Sequence, residues 1–171
     1  MVFTQQIRHS VTWLLAFFAG THGSISRDFT FTERVDSELT ISTDASPWGI
    51  GGALSKDGVP IAWFTDSITK HDLRRFRATL GDSALTTLWE VLALLVALRL
   101  WAGRHVHEPC IRVKADSMSA LKIALKYSSK DPRINAVARE LALDSSAFSH
   151  KMWILRHIPG FSNFFQIVFA G

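Results

Sequence analysis

Only one cysteine, Cys110, occurs in the 171 residues. An internal disulfide is therefore excluded, and the expected setting is a reducing compartment inside the cell, cytoplasm or nucleus, not secretion. Cys110 stands in an apolar stretch, where a thiol is expected to be a buried structural group and not a nucleophile. A strong charge of one sign is also missing. The formal net charge is +4 and the pI about 9.6, an excess that permits a polyanionic partner without demanding one. Internal repeats and low-complexity tracts are absent as well, which argues against solenoid architectures and disordered chains.

No apolar run is both long enough and clean enough to read as a membrane span. "VTWLLAFFAG", Val11 to Gly20, has half the length a bilayer needs and lacks a small-residue cleavage pattern. "ALTTLWEVLALLVALRLW", Ala84 to Trp101, has the length, yet Glu90 and Arg99 interrupt it. It is expected to be a buried helix of a soluble domain, and no membrane partner is expected. With 47% hydrophobic and 20% charged residues, the chain has the composition of one globular main domain with a short appendage.

Residues Thr4 to Phe18 carry Ile7, Val11, Leu14 and Phe18 at helical spacing, and "AGTHGS" stops the run. From Glu38 the period changes to two. Leu39, Ile41 and Thr43 alternate with Thr40, Ser42 and Asp44, which predicts a strand with one apolar face and a carboxylate at its end. "WGIGGALS" and "GVPIAWFT" flank Lys56-Asp57-Gly58, a hairpin signal. A basic loop, "KHDLRRFR", then leads to the long helix, about Ser83 to Gly103. "CIRVKAD" predicts a fourth strand, also ending in an aspartate, with Ile111, Val113 and Ala115 opposite Arg112, Lys114 and Asp116. Two amphipathic helices follow, one capped by Ser117 and one by Asp131 with Pro132 in its first turn, before a last strand in "KMWILRHIPG". The order is β-β-β-α-β-α-α-β, an α/β fold with a mixed sheet and helices packed on it.

The acids carry the chemistry. Asp44 and Asp116 end strands joined through a helical crossover, and ligands of α/β sheets gather at strand C-termini. Glu90 is the lone acid in the apolar helix between them, where a buried carboxylate needs a cation or a donor. Three carboxylates around one point are hard oxygen ligands suited to magnesium or manganese. The glycines Gly49, Gly51 and Gly52 of the first hairpin permit close backbone approach, including approach to phosphates. Taken singly, Asp44 also suits a turn and Asp116 a helix start.

"TDAS-PWGIGGAL", "WE" within an apolar helix, "VKADSMSAL" and "HIPGFSN", in this order, resemble the ribonuclease H domain that follows reverse transcriptase in LTR-type and related retrotransposon polyproteins. The likeness covers about Glu38 to Asn163. It implies a ribonuclease H-like fold in which Asp44, Glu90 and Asp116 hold two Mg2+ ions, replaceable by Mn2+, that cleave the RNA strand of an RNA–DNA hybrid. It further implies that residues 1–37, with their one helix, are a connecting segment from a reverse transcriptase, the partner domain in a parent polyprotein. Residues 38–171 are then the nuclease domain.

The sequence departs from the family after Asn163. Where the family has two variable residues, a small residue and a fourth catalytic aspartate opening a final helix, this chain has Phe164, Phe165, Gln166 and Ile167. A frameshift or truncation and the lack of the final helix are the expectation. Two outcomes stay open: a nuclease working with three acids, or an inactive remnant that keeps the fold and binds nucleic acid. A third reading, a phosphate-binding hairpin of the sugar-kinase and actin type, lacks the second glycine-rich loop it requires. His157 is an auxiliary candidate for proton transfer or product release, with a structural or phosphate-facing role as its alternative.

A nuclease that reads hybrid shape contacts phosphate and sugar. Candidates are Arg74, Arg75 and Arg77 before the long helix, and Lys122 and Lys126 on the next one, with a solvated basic face as the alternative. Ser46, Gly49 and Gly51 offer backbone amides to the RNA strand. Trp48 is expected to be a packing residue.

Overall fold

The computed structural model describes residues 39–101, 110–147 and 152–157, together with a few positions between 8 and 19. Alternating polarity produces three consecutive strands, β1 (Leu39–Ala45), β2 (Gly49–Lys56) and β3 (Val59–Ser67). Asp57 and Gly58 join the last two with φ of 51° and 81°. Two successive left-handed residues give a two-residue loop the twist of its flanking strands.

The basic stretch predicted as a loop is a helix, α1 (Lys70–Phe76). Its ends explain why. The Thr69 hydroxyl accepts from the Asp72 N–H while the Asp72 carboxylate accepts from the Thr69 N–H, a reciprocal capping box, and Arg77 closes the helix in the left-handed region at φ 49°. Phe76 is buried and Leu73 packs beside the core, so two apolar anchors hold a helix whose other side chains face water.

A 3₁₀ turn (Ser83–Leu85) precedes α2 (Thr86–Trp101), where the sequence predicted one helix to Gly103. β4 (Cys110–Ala115), α3 (Met118–Lys126), α4 (Pro132–Ala147) and β5 (Met152–His157) complete the order. Ser117 caps α3 by accepting from the Ala120 N–H, and Asp131 accepts from the Arg133 N–H at the start of α4.

The sheet order is β3-β2-β1-β4-β5. The first three strands are antiparallel, whereas β1–β4 and β4–β5 are parallel pairs joined by helical crossovers. This is the mixed sheet expected from the sequence.

Taken with the 3₁₀ turn before it, over Ser83–Trp101, helix α2 would pass for a membrane span by length and composition. In the fold it lies on β1 and β2 and under α3 and α4. Leu88, Trp89, Val91, Ala93, Ala97 and Leu98 are sealed from solvent, facing a sheet surface that includes Leu39, Ile41, Leu54, Ile111 and Val113. Burial on all sides is what a helix apolar all round requires. Arg99, one of its two charges, reaches α4: Nε donates to Asp144 at 2.6 Å and a terminal nitrogen to Glu140 at 2.7 Å.

At the N-terminus, the described positions 8, 11, 12, 14–16 and 18 are helical, with Val11, Leu14, Leu15 and Phe18 exposed. Ile7, residues 20–38 and the stretch from 158 onward lie outside the described residues, as do the side chains of Cys110 and His157.

Candidate metal centre

Register brings the two aspartates together. Thr43 of β1 stands beside Ala115 of β4 in the parallel ladder, so the residues that follow, Asp44 and Asp116, emerge side by side at the C-terminal end of the sheet. Strand β4 itself ends at Ala115, and Asp116 is the first residue beyond it. Helix α2, packed across β1, delivers Glu90 from above. One carboxylate oxygen from each of Asp44, Glu90 and Asp116 lies within 4.8 Å of the others. The convergence predicted from strand ends and one isolated helical acid is what the fold produces.

Glu90 is only 4% exposed. Its Oε1 accepts from the Ala45 N–H at 3.2 Å, while Oε2 is buried without a hydrogen-bond partner. Its pKa is pushed up to about 8, first by burial, next by the charge of Asp116 and then by that of Asp44, with the Ala45 N–H pulling the other way. Asp44 and Asp116 are half-buried, so the cluster is closed on the helix side and open at the strand ends. A sealed carboxylate with an unsatisfied oxygen, aimed at two further carboxylates, is unfavourable by itself and fits a divalent cation taking oxygen ligands.

The hairpin glycines turn out to serve the sheet. A Cβ on Gly49 would fall 2.9 Å from the Asp66 carbonyl oxygen, and one on Gly52 would fall 2.6 Å from the Phe64 ring and 3.2 Å from the Ser42 oxygen. Gly51 is buried opposite Asp44 in the ladder. Its place there is in the ladder beside the triad. The Gly49 amide is also engaged, donating to Ser46 Oγ at 3.2 Å, and its carbonyl accepts from the Ser46 N–H at 2.9 Å. Ser46 Oγ in addition accepts from the Trp48 N–H. Ser46 and Gly49 thus pin the turn after Asp44.

Trp48 is 62% exposed, which overturns its expected packing role. With the turn pinned from within, the indole is held out over Gly81 and away from the core. Arg74 and Arg75 are exposed on α1, and Lys122 and Lys126 on α3, the helix that starts directly after Asp116. Arg77 is exposed at the end of α1. His157 ends β5 in register with Ala115, one residue short of Asp116.

The sequence reading missed the Ala45 amide as a Glu90 partner, since a backbone donor leaves no trace in residue type. It also missed α1, although Thr69-x-x-Asp72 is a legible capping signal.

Solved structures with a similar fold include LC11-RNase H1 in complex with an RNA/DNA hybrid (TM-score 0.58, 18% identity, covering 74% of this chain and 89% of that one). RNase H1 of the archaeon Halobacterium salinarum superposes with TM-score 0.54 at 21% identity, over 74% of this chain and 89% of its own. The N-terminal RNase H domain of a Mycobacterium tuberculosis protein gives 0.56 at 14% identity, over 75% and 86%. The chain has the ribonuclease H-like fold. No family model matches its sequence, and no curated protein matches it. At these identities the likeness is one of fold, and the chemistry of this ribonuclease H-like chain has to be argued from its own carboxylates.

Proposed function

We propose that this chain is a metal-dependent ribonuclease of the ribonuclease H type, hydrolysing the RNA strand of RNA–DNA hybrids, and that it derives from a retrotransposon polyprotein in which residues 1–37 connect it to a reverse transcriptase. The observation that carries the activity is the triad: three carboxylate oxygens within 4.8 Å, one set on the buried Glu90 whose Oε2 lacks a hydrogen-bond partner. The retroelement origin rests on the order and spacing of the four sequence motifs.

Asp44, Glu90 and Asp116 would hold the ions. When bound, Mg2+ or Mn2+ supplies water activation and charge neutralisation at a phosphodiester. The protein's own groups supply the rest. The Ala45 N–H fixes the direction of Glu90, and the surrounding core keeps water from that side of the carboxylate. Without a cation, Glu90 retains a proton near neutral pH, which it would have to release to serve as a ligand. Arg74 and Arg75 on α1 and Lys122 and Lys126 on α3 are exposed positive charges suited to phosphates.

A second reading, a hybrid-binding remnant without cleavage, is favoured by one specific feature. Gln166 and Ile167 stand where the resembled family places a small residue and its fourth acid. The deciding experiment is cleavage of a labelled RNA–DNA hybrid by the purified chain in Mg2+ and in Mn2+, with Asp44→Asn as control. Cleavage that disappears in the variant supports the nuclease. A folded chain that binds hybrid and leaves it intact in both metals overturns the nuclease in favour of the remnant.

A further inference from the structure

Helix α1 is tied to the turn that follows Asp44 on both of its sides. Immediately before α1, the Ile68 N–H donates to the Trp48 carbonyl at 2.8 Å; just after it, the Gly81 N–H donates to the Pro47 carbonyl at 3.2 Å. The same turn is bonded to the triad through the Ala45 N–H and Glu90. A continuous set of bonds therefore links the carboxylates, the Trp48 turn and the basic helix.

Trp48 has the features of a built platform. Its backbone is fixed by Ser46 Oγ and by Ile68, and its side chain lies against Gly81. Gly81 has φ +83°, and a Cβ there would sit 3.5 Å from the indole nitrogen. Glycine at this point serves a left-handed bend and leaves the edge of the ring supported by bare backbone. The remainder of the indole meets solvent. An aromatic ring held rigidly in water gives up little freedom on binding a flat or apolar partner.

The charge beside it selects the partner. Lys70, Arg74, Arg75 and Arg77 lie between the two tethers, and the one acid among them, Asp72, is spent in the capping box. Arg74, Arg75 and Arg77 are exposed. Cationic side chains on a helix tethered to the turn of an exposed aromatic are a combination that can track a nucleic-acid strand, phosphates on the former and a sugar or base face on the latter.

We propose that Trp48 is a substrate-contacting residue that packs against the sugar and base surface of a hybrid strand, while α1 receives that strand's phosphates. This rests on the nuclease reading for the identity of the strand, but not on cleavage. Trp63 provides an internal control. It is 64% exposed, close to the value for Trp48, and sits in mid-strand on β3, outside the tethered turn.

The experiment measures binding of a fluorescently labelled RNA–DNA hybrid by anisotropy, with every chain carrying Asp44→Asn so that the substrate stays intact. Trp48→Ala is expected to weaken binding at least about fivefold, the lower end for loss of an aromatic contact. Trp48→Phe should retain most of the affinity, and Trp63→Ala all of it. Circular dichroism melts check that Trp48→Ala remains folded, as expected for an exposed side chain in a turn held by backbone bonds. Equal affinity of Trp48→Ala and its parent overturns the proposal, whatever the cleavage assay returns. So does an equal loss in Trp63→Ala. Failure of the parent to bind hybrid overturns both this proposal and the substrate assignment, whereas binding without cleavage by the chain that retains Asp44 removes only the nuclease.

Discussion

The two charged residues of α2 received opposite treatment from the fold. At its far end Arg99 is partly exposed and meets Asp144 and Glu140 on α4 at hydrogen-bonding distance. Nearer its start Glu90 is buried beside two charges of its own sign, with one oxygen unpartnered. A helix that after Thr86 and Thr87 is otherwise made of Leu, Val, Ala and Trp could have buried another apolar side chain there. The contrast teaches where stability and function separate: the Arg99 end is locally consistent, and the Glu90 end violates the same rules in a single place.

The sharpest way to break the contrast is Glu90→Gln, which keeps the shape and removes the charge. Cleavage of hybrid by the active chain should fall by roughly a hundredfold or more, measured by initial rates in Mg2+. The same variant, without metal at pH 8, should melt at a higher temperature than its parent. A lower melting temperature would mean that Glu90 stabilises the fold.

The next effect is on pH dependence. Glu90 is raised from 4.5 to about 8, so between those values the folded chain holds a proton that the unfolded chain has released. Metal-free stability should therefore be full below pH 4.5 as far as this group is concerned, and be lost as pH rises toward 8. The loss is on the order of a few kcal/mol. Urea unfolding at pH 5 and pH 8 in a chelator reads it directly. Millimolar Mg2+ or Mn2+ should oppose the loss, because the ion takes the place of the proton.

Leu98→Ala tests the consistent region. Leu98 is fully sealed, and its truncation should cost about 2–5 kcal/mol by chemical denaturation, with the surviving folded fraction still binding metal. Smallest of all is Arg99→Ala. Its pairs are exposed on the arginine side, so the cost should be about 1 kcal/mol or less and should shrink further in high salt.

The Asp44–Asp116 pairing was legible because strands with period-two alternation announce both their faces and their ends, and Glu90 because a lone acid stands out in an apolar helix. The Asp57-Gly58 turn was legible because few residues accept two left-handed conformations. Helix α1 was hidden by its own composition. Lys70, Arg74 and Arg75 among its seven residues masked Leu73 and Phe76, and only the Thr69 and Asp72 caps reported a helix. The part the glycines play in the sheet was hidden for a different reason. Gly49 and Gly52 answer to cross-strand neighbours, Asp66 and Phe64, whose position depends on hairpin register and not on anything adjacent in sequence. The placement of Trp48 follows from the bond of Ile68 to its carbonyl and that of Gly81 to the Pro47 carbonyl, and these too are long-range.

The register of β1 against β4 has a consequence for the life of the chain before it is complete. Asp44, Glu90 and Asp116 belong to three separate elements, and no short peptide contains two of them. The three-carboxylate cluster therefore closes only after an antiparallel hairpin, a buried helix and a parallel strand have all docked. A nascent or partly unfolded polypeptide has no such cluster, so the proposed activity would be acquired in one step at the end of folding and surrendered in one step when the sheet opens.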